Sequence, residues 1–208
     1  MPKTRFAGLS LAALLLITGC SSDDERSADL AGIKDLLPGD YAGMMSRGKV
    51  YHTIARLQVP DFGGEVFYHH ISMEAVRGPA LQRKFYVFNE AGDRMRSTVL
   101  LDVGMPFPDD QAMATAIAGA AKDRLLTFPE SCDIQWSKSE SGFTARVFQD
   151  KCTYDSVAFK GPVSPEMTYQ LSPCALKIDE GIYRPDGSPV FPPSSADNKR
   201  VGDGASAC

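Results

Sequence analysis

The sequence predicts a mainly β domain whose short antiparallel strands close into a barrel. Apolar and polar residues alternate in several short runs, and clusters of Gly, Asp, Asn and Ser separate those runs. Alternation with a period of two is typical of strands with one buried face. Many short strands joined by local turns favour an up-and-down barrel or a sandwich. Because closure removes exposed strand edges, the barrel is the preferred interpretation.

The first 19 residues have the organisation of a lipoprotein signal peptide. Two basic residues precede an apolar stretch at 6–17, and small residues then lead to Cys20. That stretch is too short to cross a hydrocarbon core of ~30 Å as a permanent helix. We therefore predict cleavage before Cys20 and lipidation of its thiol, which would anchor the mature chain to the cell envelope. Ser21 favours the outer membrane, facing the periplasm, if the host is Gram-negative.

The remaining chain is long enough for one domain with its own core. A polar tether at 20–29 leads into a barrel domain at 30–190, and a flexible tail is expected at 191–208. A short N-terminal helix is predicted at 27–37, because Pro38-Gly39 ends an apolar pattern of helical spacing. Strands are predicted at 50–59, 65–73, 82–88, 94–102, 134–137, 143–148, 154–159, 167–171 and 175–178.

One inserted α-helix interrupts the series of strands. Asp109 and Asp110 stand where helices prefer acidic residues, and an alanine-rich stretch follows from Gln111 to about residue 126. The formal net charge of −4 argues against nucleic acid as a partner, since such proteins carry a basic surface.

Four cysteines remain after Cys20, and an exported domain would meet an oxidising compartment. Cys132 and Cys152 flank one predicted hairpin, so we pair them. That leaves Cys174 to pair with Cys208, the last residue. The sequence contains no Cys-x-x-Cys motif, which argues against thioredoxin-like chemistry.

Several short motifs occur together in a fixed order between about residue 36 and residue 187. They are Gly39-Asp40-Tyr41, Phe67-Tyr68, Pro79 followed by Gln82-Arg83, Cys132 before a strand with Trp136, Gly142-Phe143, Cys152, and the segment 179–187. In this order and spacing they resemble the CpeT/CpcT family of phycobiliprotein chromophore lyases.

The resemblance implies a calycin-like (lipocalin-like) antiparallel β-barrel that binds an open-chain tetrapyrrole. It also implies a carbon–sulfur lyase reaction that transfers the bilin to a cysteine of an acceptor protein. The positions carried over from the family pattern are Tyr41, Phe67, Tyr68, Gln82, Arg83 and the Cys132/Cys152 pair. After the aromatic pair, the chain has His69-His70 where the family pattern has an acidic residue and a glutamine.

The chain has three histidines, His52, His69 and His70. Adjacent strand residues point to opposite faces, so His69 and His70 cannot both face the interior. One of them could join His52 at a ligand or act in acid–base chemistry, and we include His52 and His70 among the candidate ligand contacts. Structural histidines are the alternative. Two histidines without a nearby carboxylate or thiolate make a poor zinc site, so no metal is expected.

Arg83 is the candidate partner for ligand propionates, because its guanidinium binds carboxylates through two hydrogen bonds. A salt bridge at the barrel rim, with Glu65 or Glu74, is the alternative. Tyr68 and Tyr86 offer hydroxyls and stacking faces, although aromatic residues of small barrels commonly belong to the core.

No Gly-x-Ser-x-Gly motif or other nucleophile constellation is present. A bilin lyase needs none, because the acceptor protein supplies the thiol, so the sequence leaves enzymatic activity open. Two hypotheses follow. The first is a membrane-anchored chromophore-lyase-like protein that binds a tetrapyrrole or a similar flat carboxylated ligand. The second is a non-enzymatic envelope lipoprotein whose barrel binds a lipophilic molecule or a partner protein.

Overall fold

A computed structural model gives the fold of the chain. It describes residues 32–45, 48–59, 65–73, 82–88, 94–100, 115, 125–156, 159–202, 205 and 208. The predicted signal peptide, Cys20 and the tether lie outside these residues, as does most of the predicted helical insert. In the described part, no helix is both long and apolar enough to cross a membrane.

The described residues form twelve strands. They are β1 (Gly39–Met45), β2 (Gly48–Leu57), β3 (Val66–Met73), β4 (Gln82–Phe88), β5 (Arg94–Leu100), β6 (Leu125–Thr127), β7 (Ile134–Ser139), β8 (Gly142–Val147), β9 (Tyr154–Ser156), β10 (Gly161–Ser172), β11 (Ala175–Tyr183) and β12 (Pro189–Val201).

Ten of these strands close into an antiparallel barrel. The hydrogen-bonded order is β11-β12-β1-β2-β3-β4-β5-β7-β8-β10, and β10 pairs back onto β11 to complete the ring. The short strands β6 and β9 extend the sheet beside β5 and β10. The predicted antiparallel barrel is therefore confirmed, and the sandwich alternative is wrong.

The prediction of a flexible tail from residue 191 is wrong, because β12 continues to Val201 and pairs with both β11 and β1. The proline-rich sequence suggested a mobile segment. In the structure, the register between β11 and β12 shifts between Glu180, opposite Ser194, and Ile182, opposite Phe191. The prolines at 192 and 193 lie at this bulge, where a strand tolerates residues that donate no hydrogen bond.

The described residues cover only part of each of the two predicted helices. Residues 32–36 are helical, and the N–H of Leu37 donates to the carbonyl of Ile33 over 2.8 Å; residues 27–31 lie outside the described residues. Within the predicted insert, Thr115 is helical, but residues 125 and 126 belong to strand β6. The predicted end of the inserted helix is therefore wrong.

The short helix packs on one end of the barrel, which we call the base. Ile33 and Leu37 are buried in the main core cluster, and a side chain at Gly32 would meet the ring of Phe143. Burying these apolar side chains removes them from water and so stabilises the closed base. The members of this cluster are Ile33, Leu37, Tyr41, Ile54, Phe67, Tyr86, Phe88, Met95, Cys132, Ile134, Trp136, Phe143, Ala145, Val147, Cys152, Tyr169, Leu171, Leu176 and Ile178.

Tyr41 and Arg200 hold the helix against the base. The Tyr41 hydroxyl lies 3.0 Å from the carbonyl oxygen of Leu37. The Arg200 guanidinium lies 4.8 Å from the Tyr41 ring and donates to the carbonyl of Pro38 over 2.8 Å and to the Tyr41 hydroxyl over 2.7 Å. It also donates to the carbonyl of Pro173 over 2.9 Å. These bonds satisfy carbonyls that the helix end leaves without partners.

Both predicted cysteine pairs are at disulfide distance. Cys132 and Cys152 have a Cα–Cα distance of 4.5 Å, and Cys174 and Cys208 have one of 5.4 Å. The first pair is buried in the core, next to the short seam between β5 and β7. The second pair attaches the last residue of the chain to the turn between β10 and β11.

The seam between β5 and β7 has a register of only two described residue pairs. A side-chain ion pair adds to the backbone hydrogen bonds of this seam. Arg96 of β5 donates from Nε and Nη2 to the two carboxylate oxygens of buried Asp133, over 2.9 and 3.1 Å. Such paired hydrogen bonds fix the relative position of two segments better than a single contact does.

We expect Arg200→Met to lower the free energy of unfolding by about 2 kcal/mol, because carbonyls at the base lose charged hydrogen-bond donors. Urea denaturation measures the loss. Arg184→Met, in the exposed turn between β11 and β12, is the matched control and should change stability by less than about 0.5 kcal/mol. Equal effects of the two substitutions would contradict the proposed role of Arg200.

Candidate functional site

A group of polar side chains lies inside the barrel, above the apolar base. Strand register places His69 diagonally next to His52, beside Lys84, and one interior position away from Tyr86. Tyr169 and Glu180 complete the group from β10 and β11. We call it the interior polar cluster; its members are His52, His69, Lys84, Tyr86, Tyr169 and Glu180. All except half-buried Glu180 are buried.

Hydrogen bonds connect four of these side chains in a row. His52 Nδ1 lies 3.0 Å from His69 Nε2, and His69 Nδ1 lies 2.9 Å from the Tyr86 hydroxyl. Tyr86 is in turn hydrogen-bonded to Tyr169, whose hydroxyl donates to the sulfur of Met167 over 3.3 Å. The row therefore crosses the interior from β2 to β10.

Burial determines the protonation states along the row. It lowers the pKa of His52 to about 4, with the positive charge of Lys84 adding to the effect. Burial also places the pKa of His69 well below its ordinary value, helped by the charges of His52 and Lys84. The same desolvation raises the pKa of Tyr86 and Tyr169, because it disfavours the phenolate. Near neutral pH, both histidines are uncharged and both tyrosines keep their protons.

With these states, one arrangement of protons satisfies the whole row. The Met167 sulfur can only accept, so Tyr169 donates to it and accepts from Tyr86. The Tyr86 oxygen then accepts from Nδ1–H of His69, and His69 Nε2 accepts from Nδ1–H of His52. His52 Nε2 is left with a lone pair, and it has no partner among the described residues. The row thus ends at His52 Nε2, a buried acceptor that has no hydrogen-bond donor among the described residues.

Asn198 provides a second such acceptor. Its amide nitrogen donates to the carbonyl of Leu176 over 2.9 Å and to that of Ala196 over 3.3 Å. Its Oδ1 faces Gly43 of β1, where a side chain would collide with it, and has no partner in the described part of the chain. Buried acceptors without donors cost free energy, so a molecule that supplies N–H or O–H groups would be stabilised here.

Lys84 and Glu180 are the charged members of the cluster. Lys84 is 7% exposed. Burial lowers the pKa of its amine, and the negative charge of Glu180 acts in the opposite direction. With both histidines uncharged, these two opposite charges leave the cluster neutral overall.

The structure separates the predicted ligand contacts into interior and outer positions. Phe67 is in the apolar core, and His52 and Tyr86 are in the interior polar cluster. The register places position 82 on the inner face, opposite Ile71. Tyr41 is inside but belongs to the base, where its hydroxyl is occupied by backbone carbonyls.

Two further predicted contacts, Tyr68 and His70, lie on the outer face of the sheet. The register places Arg83 opposite His70, and Tyr68 shares their side of β3. The assignment of His70 to the interior is therefore corrected, because His69 takes that place. The side chain of Arg83 lies outside the described part of the structure, so its contact with ligand propionates stays a prediction.

Sequence reasoning missed Lys84, Tyr169 and Glu180, and of the two adjacent histidines it selected His70 where the structure has His69 inside. For Lys84 a signal existed, because a lysine in the middle of an apolar strand must be exposed or have a special partner. In the described ranges, no three His, Cys, Asp or Glu side chains come close enough together to hold a metal ion.

The fold and this cluster define a class of protein, a closed antiparallel barrel with a buried polar site inside. No protein-family model matches the chain, and no curated protein matches it. Among solved structures, it is similar to the CRL protein of Arabidopsis, determined with selenomethionine. The TM-score is 0.55 at 8% sequence identity, over 85% of this chain and 99% of that one. At such low identity, the likeness shows a shared fold and nothing further.

The buried histidines should make stability depend on pH. The unfolded chain takes up protons at His52 below about 6.5, whereas the folded chain does so only near 4. Stability is therefore complete above the unfolded pKa and is lost as the pH falls. We expect a loss of roughly 3 kcal/mol from His52 between these limits. Urea denaturation at a series of pH values measures it.

His52→Gln should flatten this pH dependence, because the substituted side chain takes up no proton. His70→Gln is the matched control on the outer face, and it should keep the slope that His52 produces. If His52→Gln and the parent chain lose stability equally between pH 6.5 and 4, the neutral buried state of His52 is refuted.

Proposed function

We propose that this protein is a CpeT/CpcT-like, calycin-type barrel that binds a tetrapyrrole or a similar flat carboxylated ligand in its interior. The unpartnered acceptor at His52 Nε2 is the observation that supports this proposal most directly. Pyrrole rings carry N–H groups that are fixed in the plane of the ligand. Such a donor would complete the row from His52 to Tyr169 without changing any protonation state.

The second acceptor supports a ligand with more than one donor. Asn198 Oδ1 lies on β12 and His52 on β2, so the two acceptors approach the interior from strands on either side of β1. An open-chain tetrapyrrole has several N–H groups along its length, which suits acceptors on different strands. A simple aliphatic ligand would leave both acceptors without partners, at a cost in free energy.

The charges suggest how such a ligand is oriented. The cluster is neutral, because Glu180 already balances Lys84. A ligand carboxylate placed inside it would lack a counter-charge, and an unpaired buried charge is costly. The carboxylates would therefore stay outside the cluster while the rings enter it.

We expect the purified full-length chain to bind biliverdin with a saturable change in absorbance. His52→Leu should weaken binding about tenfold, since one buried hydrogen bond is worth about 1.4 kcal/mol. His70→Leu is the matched control, with the same change on the outer face of the same barrel, and should leave the affinity unchanged.

Two results would overturn the proposal. One is the absence of any spectral change with either biliverdin or haem. The other is equal affinity of His52→Leu and His70→Leu for biliverdin, which would place the ligand away from the cluster. Tight binding of an apolar compound without donors, unaffected by His52→Leu, would instead favour an envelope protein for lipophilic molecules.

We also propose that the chain is lipidated at Cys20 and faces an oxidising compartment of the cell envelope. Two cysteine pairs at disulfide distance are compatible with such a compartment. The chain expressed in a bacterium should partition into the detergent phase of Triton X-114, and Cys20→Ser should move it to the aqueous phase. Ser22→Ala is the control and should stay with the detergent. A parent chain in the aqueous phase that retains Met1 would contradict lipidation.

A further inference from the structure

Lys84 is a primary amine in an unusual place. It lies in the middle of β4, with the cluster histidine His69 directly opposite on β3. The neighbouring interior position on its own strand is Tyr86, and the carboxylate of Glu180 acts on it from β11. Exposed lysines are strongly hydrated, but the Lys84 side chain is only 7% exposed.

We propose that Lys84 is a covalent attachment site, at which the barrel binds a flat aldehyde as a protonated imine with Glu180 as its counter-ion. This inference rests on the proposed function, because it uses the same interior site. It adds the reactive group that such a flat ligand would carry, a conjugated aldehyde, and the protein atom to which that group is joined.

The reaction balances without any other reactant. Lys84 Nζ attacks the carbonyl carbon, and the resulting carbinolamine loses its oxygen as water, so that a C=N bond replaces the C=O bond. Starting from the ammonium form, two of its three hydrogens leave in that water. The product keeps one N–H and one positive charge. No oxidant or reductant takes part.

Three features of the cluster favour this product. Burial lowers the pKa of Lys84, which makes the nucleophilic amine more available than in an exposed lysine. The product has the same charge as the ammonium group, so the balance with Glu180 is preserved. An enclosed site also limits the water that would hydrolyse the imine.

An alternative reading is that Lys84 and Glu180 form a purely structural ion pair. Buried ion pairs are weak evidence for stability, because desolvation offsets most of the attraction between the charges. A structural pair would react with an aldehyde more slowly than the exposed lysines do. The two readings therefore predict opposite orders of reactivity.

The test uses 4-dimethylaminocinnamaldehyde, a flat aldehyde whose protonated imine absorbs at longer wavelength than the free compound. The full-length chain is incubated with one equivalent of the probe and treated with sodium borohydride, which fixes the imine as a secondary amine. Peptide mass mapping then locates the label. We expect a red-shifted band before reduction and the label mainly at Lys84.

Variants separate the interior site from general lysine chemistry. Lys84→Arg keeps the positive charge beside Glu180 but cannot form an imine, so the band and the Lys84 label should disappear. Lys199→Met is the matched control, an exposed lysine in a strand of the same barrel, and should keep both. Glu180→Gln should retain the label. As the pH is raised, however, this variant should lose the red-shifted band at a lower pH than the parent chain does, because the protonated imine lacks its counter-ion.

Circular dichroism of each variant checks that the barrel is intact. A label distributed over exposed lysines with none at Lys84, in a folded chain, would overturn the proposal, as would a red-shifted band that persists in Lys84→Arg. Biliverdin binding that depends on His52 but occurs without any aldehyde reaction would leave the interior ligand site standing and refute the imine alone. If the chain neither binds biliverdin nor forms the imine at Lys84, both the interior ligand site and the imine are refuted.

Discussion

Closure of the sheet is the constraint on which the rest of the structure depends. Once β10 pairs back onto β11, every strand of the ring has one face towards the enclosed interior and one face outwards. A residue therefore changes environment completely from one position to the next. The difference in burial between His69 and its neighbour His70 has this origin.

The architecture was largely predictable from the sequence, because it depends on local signals. Alternation and turn residues located most strands, and the hairpin between Cys132 and Cys152 gave the first cysteine pair. The first and last strands of the chain, β1 and β12, were harder to predict. β1 contains glycines and methionines rather than β-branched residues, and β12 contains prolines that become acceptable only at a bulge formed with β11. That bulge is a property of the pairing and has no local signal.

The candidate site was less predictable, for a physical reason. β3 is buried on both faces: Phe67 packs inside the barrel, while Val66 packs outside with Leu57 and Phe85. Alternation of polarity then no longer tells the inner residues from the outer ones, and either histidine was compatible with the pattern. Tyr169 and Glu180 join the site through pairings between strands far from β3 in sequence, which no short motif records.

The pairing of the first strand with the last has a consequence for the order of events in synthesis. β1 cannot complete its ladder until β12, within the final twenty residues, has left the ribosome. Arg200 lies in β12 itself and Cys208 follows it, so the contacts that fasten the base also form only at this stage. The nascent chain therefore holds an open sheet until β12 emerges, and loss of residues 199–201 would remove the described residue pairs that join β1 to β12.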